Sequence, residues 1–412
     1  MKWQDNVRRV VPYVAGEQPK DSSIIKLNTN ECPYPPSPAV SAALMETVRN
    51  TDRLRLYPDM DATPLTEALA EKYNVSPDQI FVGVGSDDVL SMCFLTFFTG
   101  GGELLFPDIT YSFYEVWAQL YRIPYHTIPL KDNFTIDPED YIPNPGLSEN
   151  RTEENAARPS QGEKGYSEEL PAAADADRVP CSPVRGAGGG TGHSSCGEVP
   201  LKQLGGGIIF PNPNAPTGAA LPLDSIERIV AANPDKVVIV DEAYIDFGGE
   251  SALPLLKRYD NLLVVQTFSK SRAMAGARIG FAVGNKELIG YLKDVKFSFN
   301  SYTMSYPSIL AGTAAVKDDA YFRRITGQIV ATRERFAEAL SGMGFVFPAS
   351  KANFVFARHP SMSGAELFYE LRERKILVRR WEKPRIENHL RITIGTTEQM
   401  QKVEKTLREI IK

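Results

Sequence analysis

The chain has 412 residues, enough for two or three structural units with a large core. Charged residues make up 24 % and the formal net charge is -5, a balance that gives no electrostatic reason to bind nucleic acid or an anionic membrane. No apolar stretch approaches the roughly 20 residues that span a bilayer. The opening residues lack an apolar signal core, and the four cysteines show no disulfide framework. The expectation is a cytoplasmic protein with reduced thiols.

Residues 1–36 close on KLNTNECPYPPSP, whose prolines exclude a helix and predict an extended arm. Helical patterns follow at AVSAALMETVRN and ATPLTEALAEKYN. QIFVGVGSDDVLSMCFLTFF reads as a short strand, a glycine turn and an apolar helix. GELLFPDITYSFYEVWAQLYRIPYHTIPL repeats that logic and adds a strand. GGIIFPNPNAPTG is a buried strand running into a proline-rich turn. KVVIVDEAYIDF and NLLVVQTFSK are two more strands, each ending in polar residues. Runs of Val, Ile and Leu alternating with helices predict a mostly parallel sheet, covered on both faces, over residues 37–287. In such sheets ligands bind beyond the carboxyl ends of the strands, where these polar tails fall. From residue 288 to 412 the pattern predicts a smaller α+β unit ending in a helix, EQMQKVEKTLREIIK. Residues 145–205 are rich in Gly, Ser, Pro, Ala and Glu. They cannot bury enough apolar surface to offset their ordering entropy, and read as a disordered insertion between two core strands. Within them Cys181, His193 and Cys196 lack a paired CxxC spacing, so no metal site is expected.

The strand ends hold the candidate chemistry. In GVGSDD, Gly83, Gly85, Ser86 and Asp87 turn the chain into a helix. Backbone amides and the helix dipole there suit a phosphate, although a plain cap by Ser86 explains the same residues. Tyr111, at a helix start, can stack on a flat ring or pack in the core. Asn212 and Asn214 sit in a stiff turn, where an amide could also be aimed at a phenolate-type oxygen. Asp241 ends a run of β-branched residues, and a carboxylate there needs a cationic partner. Tyr244 follows closely enough to share its ligand. Lys270 closes the next strand, and Arg278 follows between Gly276 and Gly280. A lysine at a strand end is usually a solvated end charge. In a semi-buried, electropositive site it can attack a carbonyl and form a Schiff base. One ligand suits the whole set: flat, phosphorylated and aldehyde-bearing, with a protonated ring nitrogen and a ring hydroxyl. That is pyridoxal 5′-phosphate.

These motifs resemble those of the fold-type-I pyridoxal-phosphate aminotransferases, and within them the histidinol-phosphate aminotransferase family. The resemblance is carried by KLNTNECPYPPSP, YPD at Tyr57, GVGSDD, YSFYEVWA, NPNAPTG, DEAYIDF, TFSK with AGARIGF, ANFVF, and LVRR with LRITIG. It covers the chain outside 145–205. It implies an α/β fold, with a mostly parallel seven-stranded sheet between helices in the large domain and a smaller α+β C-terminal domain. It implies amino transfer between L-histidinol phosphate and 2-oxoglutarate, in histidine biosynthesis. By resemblance, Lys270 is the Schiff-base lysine and the base for the 1,3-proton shift. Asp241 pairs with the pyridine nitrogen, Tyr244 contacts the ring oxygen and Tyr111 stacks on the ring. Gly85, Ser86, Asp87, Ser269 and Arg278 line the phosphate site. Tyr57 reaches the cofactor phosphate of a neighbouring subunit, which implies a homodimer. Asn30, Asn353, Arg379 and Arg391 bind substrate; a planar guanidinium suits both a phosphate and a dicarboxylate. Arg380 is an equal candidate for the role given to Arg379.

The chain departs from the family in places. Ala215 stands where many relatives have asparagine, so the asparagine contact to the ring oxygen is assigned to Asn214. Asn30-Glu31-Cys32-Pro33 replaces the usual Asn-Glu-Asn-Pro. An aromatic or aspartate-type aminotransferase shares every cofactor residue, and a threonine-phosphate decarboxylase is close in sequence. A binding protein of this fold without turnover is the reading from another class.

Overall fold

The computed structural model describes residues 3–143 and 206–412. The insertion expected at 145–205, with Cys181, His193 and Cys196, lies outside the described residues. The strands are β1 (Ile25–Lys26), β2 (Ile80–Gly83), β3 (Leu104–Pro107), β4 (Tyr125–Ile128), β5 (Gly207–Pro211) and β6 (Val237–Asp241). They continue as β7 (Leu262–Thr267), β8 (Gly280–Gly284), β9 (Phe354–Ala357), β10 (Ile376–Leu377), β11 (Arg379–Arg380) and β12 (Leu390–Thr393). The helices used below are α1 (Pro38–Arg49), α2 (Thr63–Tyr73), α3 (Ser86–Phe97), α4 (Phe113–Tyr121), α5 (Leu223–Ala232), α6 (Lys286–Phe299) and α7 (Tyr306–Lys317). Three more complete the set: α8 (Asp319–Gly342), α9 (Gly364–Glu373) and α10 (Thr397–Ile410).

Seven strands form one sheet in the order β2-β8-β7-β6-β5-β3-β4. All neighbours run parallel except those of β8, which is antiparallel to both β2 and β7. The α/β fold with a mostly parallel seven-stranded sheet is therefore present. Its central strands, β5 to β8, are buried on both faces, which is why they read as near-continuous apolar runs. Ile208, Val238, Val240, Leu262 and Val264 point to one face, against Leu65 and Leu69 of α2, Ile226 of α5 and Ile309 of α7. Ile209, Ile239, Leu263 and Val265 point to the other, against Leu90 of α3, Trp117 of α4 and Leu292 of α6. The period of two along each strand makes this division.

A three-stranded antiparallel sheet, β11-β12-β9, builds a second core with α8, α9 and α10. The amino-terminal arm joins that core: β1 pairs parallel with β10, and Ile25 and Leu27 are buried in the cluster. Beyond residue 287, α6 and α7 still pack on the large sheet. An amphipathic pattern shows that a helix buries one face. It does not show which core receives that face.

Candidate active site

The register brings Pro211, Asp241 and Val265 level across β5, β6 and β7. On the antiparallel side, Thr267, Gly280 and Gly83 lie level across β7, β8 and β2. Beyond these ends lies a cavity of about 170 Å³. Ser86, Asp87, Tyr111, Asp241, Lys270 and Arg278 all line it, from four separate strand ends and one helix start. Tyr244 and Ser269 line it as well.

Asp241 is 4 % exposed. Its Oδ2 accepts from the Tyr114 hydroxyl at 2.7 Å, and its Oδ1 from the Ala243 N–H at 3.2 Å. Neither donor is a cation. Burial therefore dominates and pushes the carboxyl up to about 6, with the two hydrogen bonds opposing. A cationic group inside the cavity is what this carboxylate lacks.

Lys270 faces it from the end of β7. Its Nζ donates to the Thr29 carbonyl at 3.3 Å and stands 5.9 Å from the centre of the Tyr244 ring. The Tyr244 hydroxyl accepts from Asn30 Nδ2 at 2.9 Å. Asn30 is buried in the left-handed region, φ 56°, and its own carbonyl accepts from Asn353 Nδ2 at 3.0 Å. Asn30 and Asn353 thus stand behind Tyr244 as a chain of amides, and Asn353 Oδ1 is buried with no partner among the described residues.

Another wall of the cavity is built by the glycine turn. Gly85 has φ 87°, the left-handed region that glycine enters freely. A Cβ there would lie 2.5 Å from Arg278 Nη2. Arg278 pairs with Asp87 Oδ2 at 3.1 Å, and Asp87 Oδ1 accepts from the Tyr111 hydroxyl at 2.7 Å. Burial and the neighbouring Asp87 hold the Tyr111 phenol well above its ordinary pKa. Ser86 opens α3, so backbone donors and the positive helix end meet Arg278 in one place. Ser269 Oγ accepts from Thr267 Oγ1 at 3.0 Å on the far wall. Gly280 makes this approach possible, since a Cβ on it would lie 2.3 Å from both Gly85 C and Ser86 N. We expect Gly280→Ala to cost about 2 kcal/mol or more through overpacking against backbone, read as a lowered urea midpoint.

Arg379 and Arg391 are direct cross-strand partners in β11 and β12. Like charges so placed repel unless an anion lies between them. Arg391 Nη2 donates to the Asn28 carbonyl at 2.9 Å, its Nε is buried and unpartnered, and its guanidinium lies over Trp381 and Phe354. Neither arginine forms an ion pair among the described residues. Arg380 differs: it bonds the Glu387 carbonyl at 2.9 Å and pairs with Glu382 at 3.2 Å. The adjacent pair of arginines therefore divides into one committed and one available.

One expected placement differs. Asn214 has no amide hydrogen to offer a ring oxygen, because Nδ2 donates to the Ile109 carbonyl at 3.0 Å and to Thr217 Oγ1 at 3.1 Å. The turn consumes it, and Ala215 lines the cavity instead. Tyr57, expected at a neighbouring subunit's site, lies outside this cavity; it is 81 % exposed and stacks on Tyr302 with ring centres 4.6 Å apart. Sequence reasoning also misses Tyr114, which lies in the first turn of α4, whereas Tyr111 precedes that helix. It misses Thr29 and Glu31 as cavity-lining residues, with Lys26 bonded to both of them. No group of three or more His, Cys, Asp or Glu side chains that could hold a metal occurs among the described residues.

A sheet of this topology, with a lysine, a buried carboxylate and an arginine beside a glycine turn beyond its strand ends, defines an aminotransferase-type α/β protein. The family model of class I and II aminotransferases matches residues 22–146 and 198–407. The histidinol-phosphate aminotransferase of Aromatoleum aromaticum is 45 % identical over 410 residues, covering 100 % of this chain and 99 % of that protein. That of Lactococcus lactis subsp. cremoris is 44 % identical over 412 residues, covering 100 % and 98 %. The crystal structure of the Sinorhizobium meliloti histidinol-phosphate aminotransferase, in complex with pyridoxal-5′-phosphate, shares the fold with a TM-score of 0.73 at 20 % identity, over 94 % of this chain and 90 % of that one. The chain belongs to the class I and II aminotransferases and, within them, to the histidinol-phosphate aminotransferase family.

Proposed function

We propose that the protein binds pyridoxal 5′-phosphate and transfers an amino group between L-histidinol phosphate and 2-oxoglutarate, giving imidazole acetol phosphate and glutamate in histidine biosynthesis. The observation that carries this is the convergence of Lys270, Asp241 and Arg278 on one cavity. The full-length relatives at 45 % and 44 % identity support the substrate pair.

The residues fit such a cofactor. Asp241 is a buried carboxylate without a cationic partner, which suits a protonated ring nitrogen. Gly85 leaves room beside Arg278 that a Cβ would fill, which suits a phosphate. Lys270 lines the same cavity. The chemistry the cofactor supplies is an aldehyde for condensation with amines and a ring that takes up negative charge.

The chain's own groups do the rest. Lys270 Nζ is the amine that would anchor the cofactor and the group that would carry a proton to and from the substrate carbon. Asp241 holds the proton on the ring nitrogen, and Tyr114 and the Ala243 amide fix the carboxylate in place. Tyr244, held by Asn30, offers its hydroxyl to the ring oxygen. Tyr111 presents its ring from the start of α4. Arg278, Ser86, Ser269 and the amides of the glycine turn hold the phosphate. Arg379 and Arg391, opposed across two strands, hold the phosphate of one substrate and the carboxylate of the other. Asn30 and Asn353 act on the substrate side through the Tyr244 network.

The protein works as a homodimer with shared sites. Tyr57, Leu56, Leu54 and Phe299 are large apolar side chains left exposed, and a second copy of the chain would cover them. Cys32 and Cys93 are free thiols, which suits a reducing cytoplasm. No helix among the described residues is long and apolar enough to cross a membrane. The chain divides into an arm, a large domain and a C-terminal domain.

An absorbance titration tests the function. The cofactor's visible band should bleach with L-histidinol phosphate and return with 2-oxoglutarate. A band that ignores histidinol phosphate and responds to aromatic amino acids or aspartate would overturn the substrate. Carbon dioxide release from threonine phosphate, with no need for 2-oxoglutarate, would make the protein a decarboxylase.

A further inference from the structure

Lys296 is a buried cation that the site described above leaves without a role. It lies on α6, is 5 % exposed, and burial draws its pKa down. An ammonium is costly to bury unless protein acceptors replace its water. Here the acceptors are two backbone carbonyls. Nζ donates to Val82 O at 3.1 Å and to Met60 O at 3.3 Å. The Phe81 ring lies 5.3 Å from it. Asp88, Asp61 and Asp59 favour its charge, while Lys293, itself paired with Asp61 at 2.9 Å, opposes it.

The two carbonyls belong to different parts of the proposed site. Val82 lies in β2 immediately before Gly83 and the turn that presents Gly85 and Ser86. That turn is also held by Asp88, whose Oδ2 accepts from Val84 N–H at 2.8 Å. Met60 lies three residues after Tyr57, in the loop that leads into α2. Asp59 stiffens this loop by accepting from the Asp61 and Thr63 amides at 3.0 and 2.8 Å. Tyr57 itself stacks on Tyr302, just beyond the end of α6. One ammonium therefore joins the strand behind the phosphate turn to the loop that carries Tyr57.

We propose that Lys296 is a positioning residue, which fixes the Tyr57 loop against the phosphate turn so that cofactor phosphate is held from both subunits in register. This rests on the cofactor reading above and on the cross-subunit role of Tyr57. The ammonium touches no reacting atom. Its effect is on how tightly cofactor phosphate is kept.

The test measures the dissociation constant of pyridoxal phosphate by quenching of tryptophan fluorescence, on the full chain. Lys296→Met keeps most of the stem and removes both donors. It should raise Kd about tenfold, the scale of losing a charged hydrogen bond. Lys296→Arg, which can still reach two carbonyls, should restore most of that loss. Tyr57→Phe should also raise Kd, and the double variant should fall short of the product of the two effects by a factor of about three or more, because the residues act through one loop. An unchanged Kd in folded Lys296→Met overturns the proposal, and so does full additivity with Tyr57→Phe. If Lys296→Met does not fold, Lys296→Gln takes its place: a Kd raised several-fold supports the proposal and an unchanged Kd overturns it. Wild-type protein that binds no cofactor would instead overturn the cofactor reading on which the proposal stands.

Discussion

Lys270→Ala is expected to lower kcat at least about 10⁴-fold, because the variant loses its anchoring amine and its proton carrier together. The same variant should still bind the cofactor through Arg278, the glycine turn and Asp241, without the absorbance of the lysine-linked form. Folding should be little affected. The Lys270 ammonium makes one long hydrogen bond, to Thr29 O at 3.3 Å, and removing it should change stability by no more than about 0.5 kcal/mol. Steady-state turnover, a visible spectrum and a urea melt separate these effects. Turnover near the wild-type rate would remove Lys270 from the chemistry.

Asp241→Asn is the second large expectation. The variant keeps shape and most hydrogen bonds but cannot hold a proton on a ring nitrogen by charge. We expect kcat to fall about 10²- to 10³-fold, the range for losing one preorganised electrostatic partner. The pH dependence gives a sharper test. In the free protein the Asp241 carboxyl is pushed up to about 6, from 3.8, by burial. The folded state then holds this proton more tightly than the unfolded state does. Stability of the cofactor-free protein is therefore highest below about pH 4 as far as this group is concerned. It falls by about 3 kcal/mol as pH rises to about 6. Cofactor binding reverses the sign at this group, because a cation beside the carboxylate favours its charged form. Affinity should be full above about pH 6 and should drop as pH falls below it, by up to about tenfold per unit. Subtracting the Asp241→Asn profile from the wild-type profile isolates this contribution from the cofactor's own titrations. Identical profiles would mean that Asp241 does not face the ring nitrogen.

The strand ends were the legible part of the sequence. β5, β6 and β7 are buried on both faces, so their apolar runs stop where the site begins, and Asp241 and Lys270 mark the stops. Gly85 and Ser86 were legible because a glycine before a helix start has few uses. Contacts set by folding across the chain were not legible. Asn214 was assigned outward, yet its turn uses both amide hydrogens, and nothing local in NPNAPTG shows where they go. Arg379 and Arg391 could be named by resemblance, but their direct opposition depends on the register of β11 against β12. Lys296 looks like an ordinary helix-face lysine, since its two carbonyl partners lie more than 200 residues earlier. The homes of α6 and α7 were hidden for the same reason.

Gly280 also sets a condition on how this chain can change over generations. It sits on β8, antiparallel to both of its neighbours, and packs against the backbone of Gly85 and Ser86, 195 positions away in sequence at Gly85. A side chain at 280 becomes tolerable only if the turn at 85 has already shifted, and that shift moves the seat of Arg278. Position 280 is therefore bound to the shape of the turn at 85, whereas Gly85 is bound by its own φ and by Arg278.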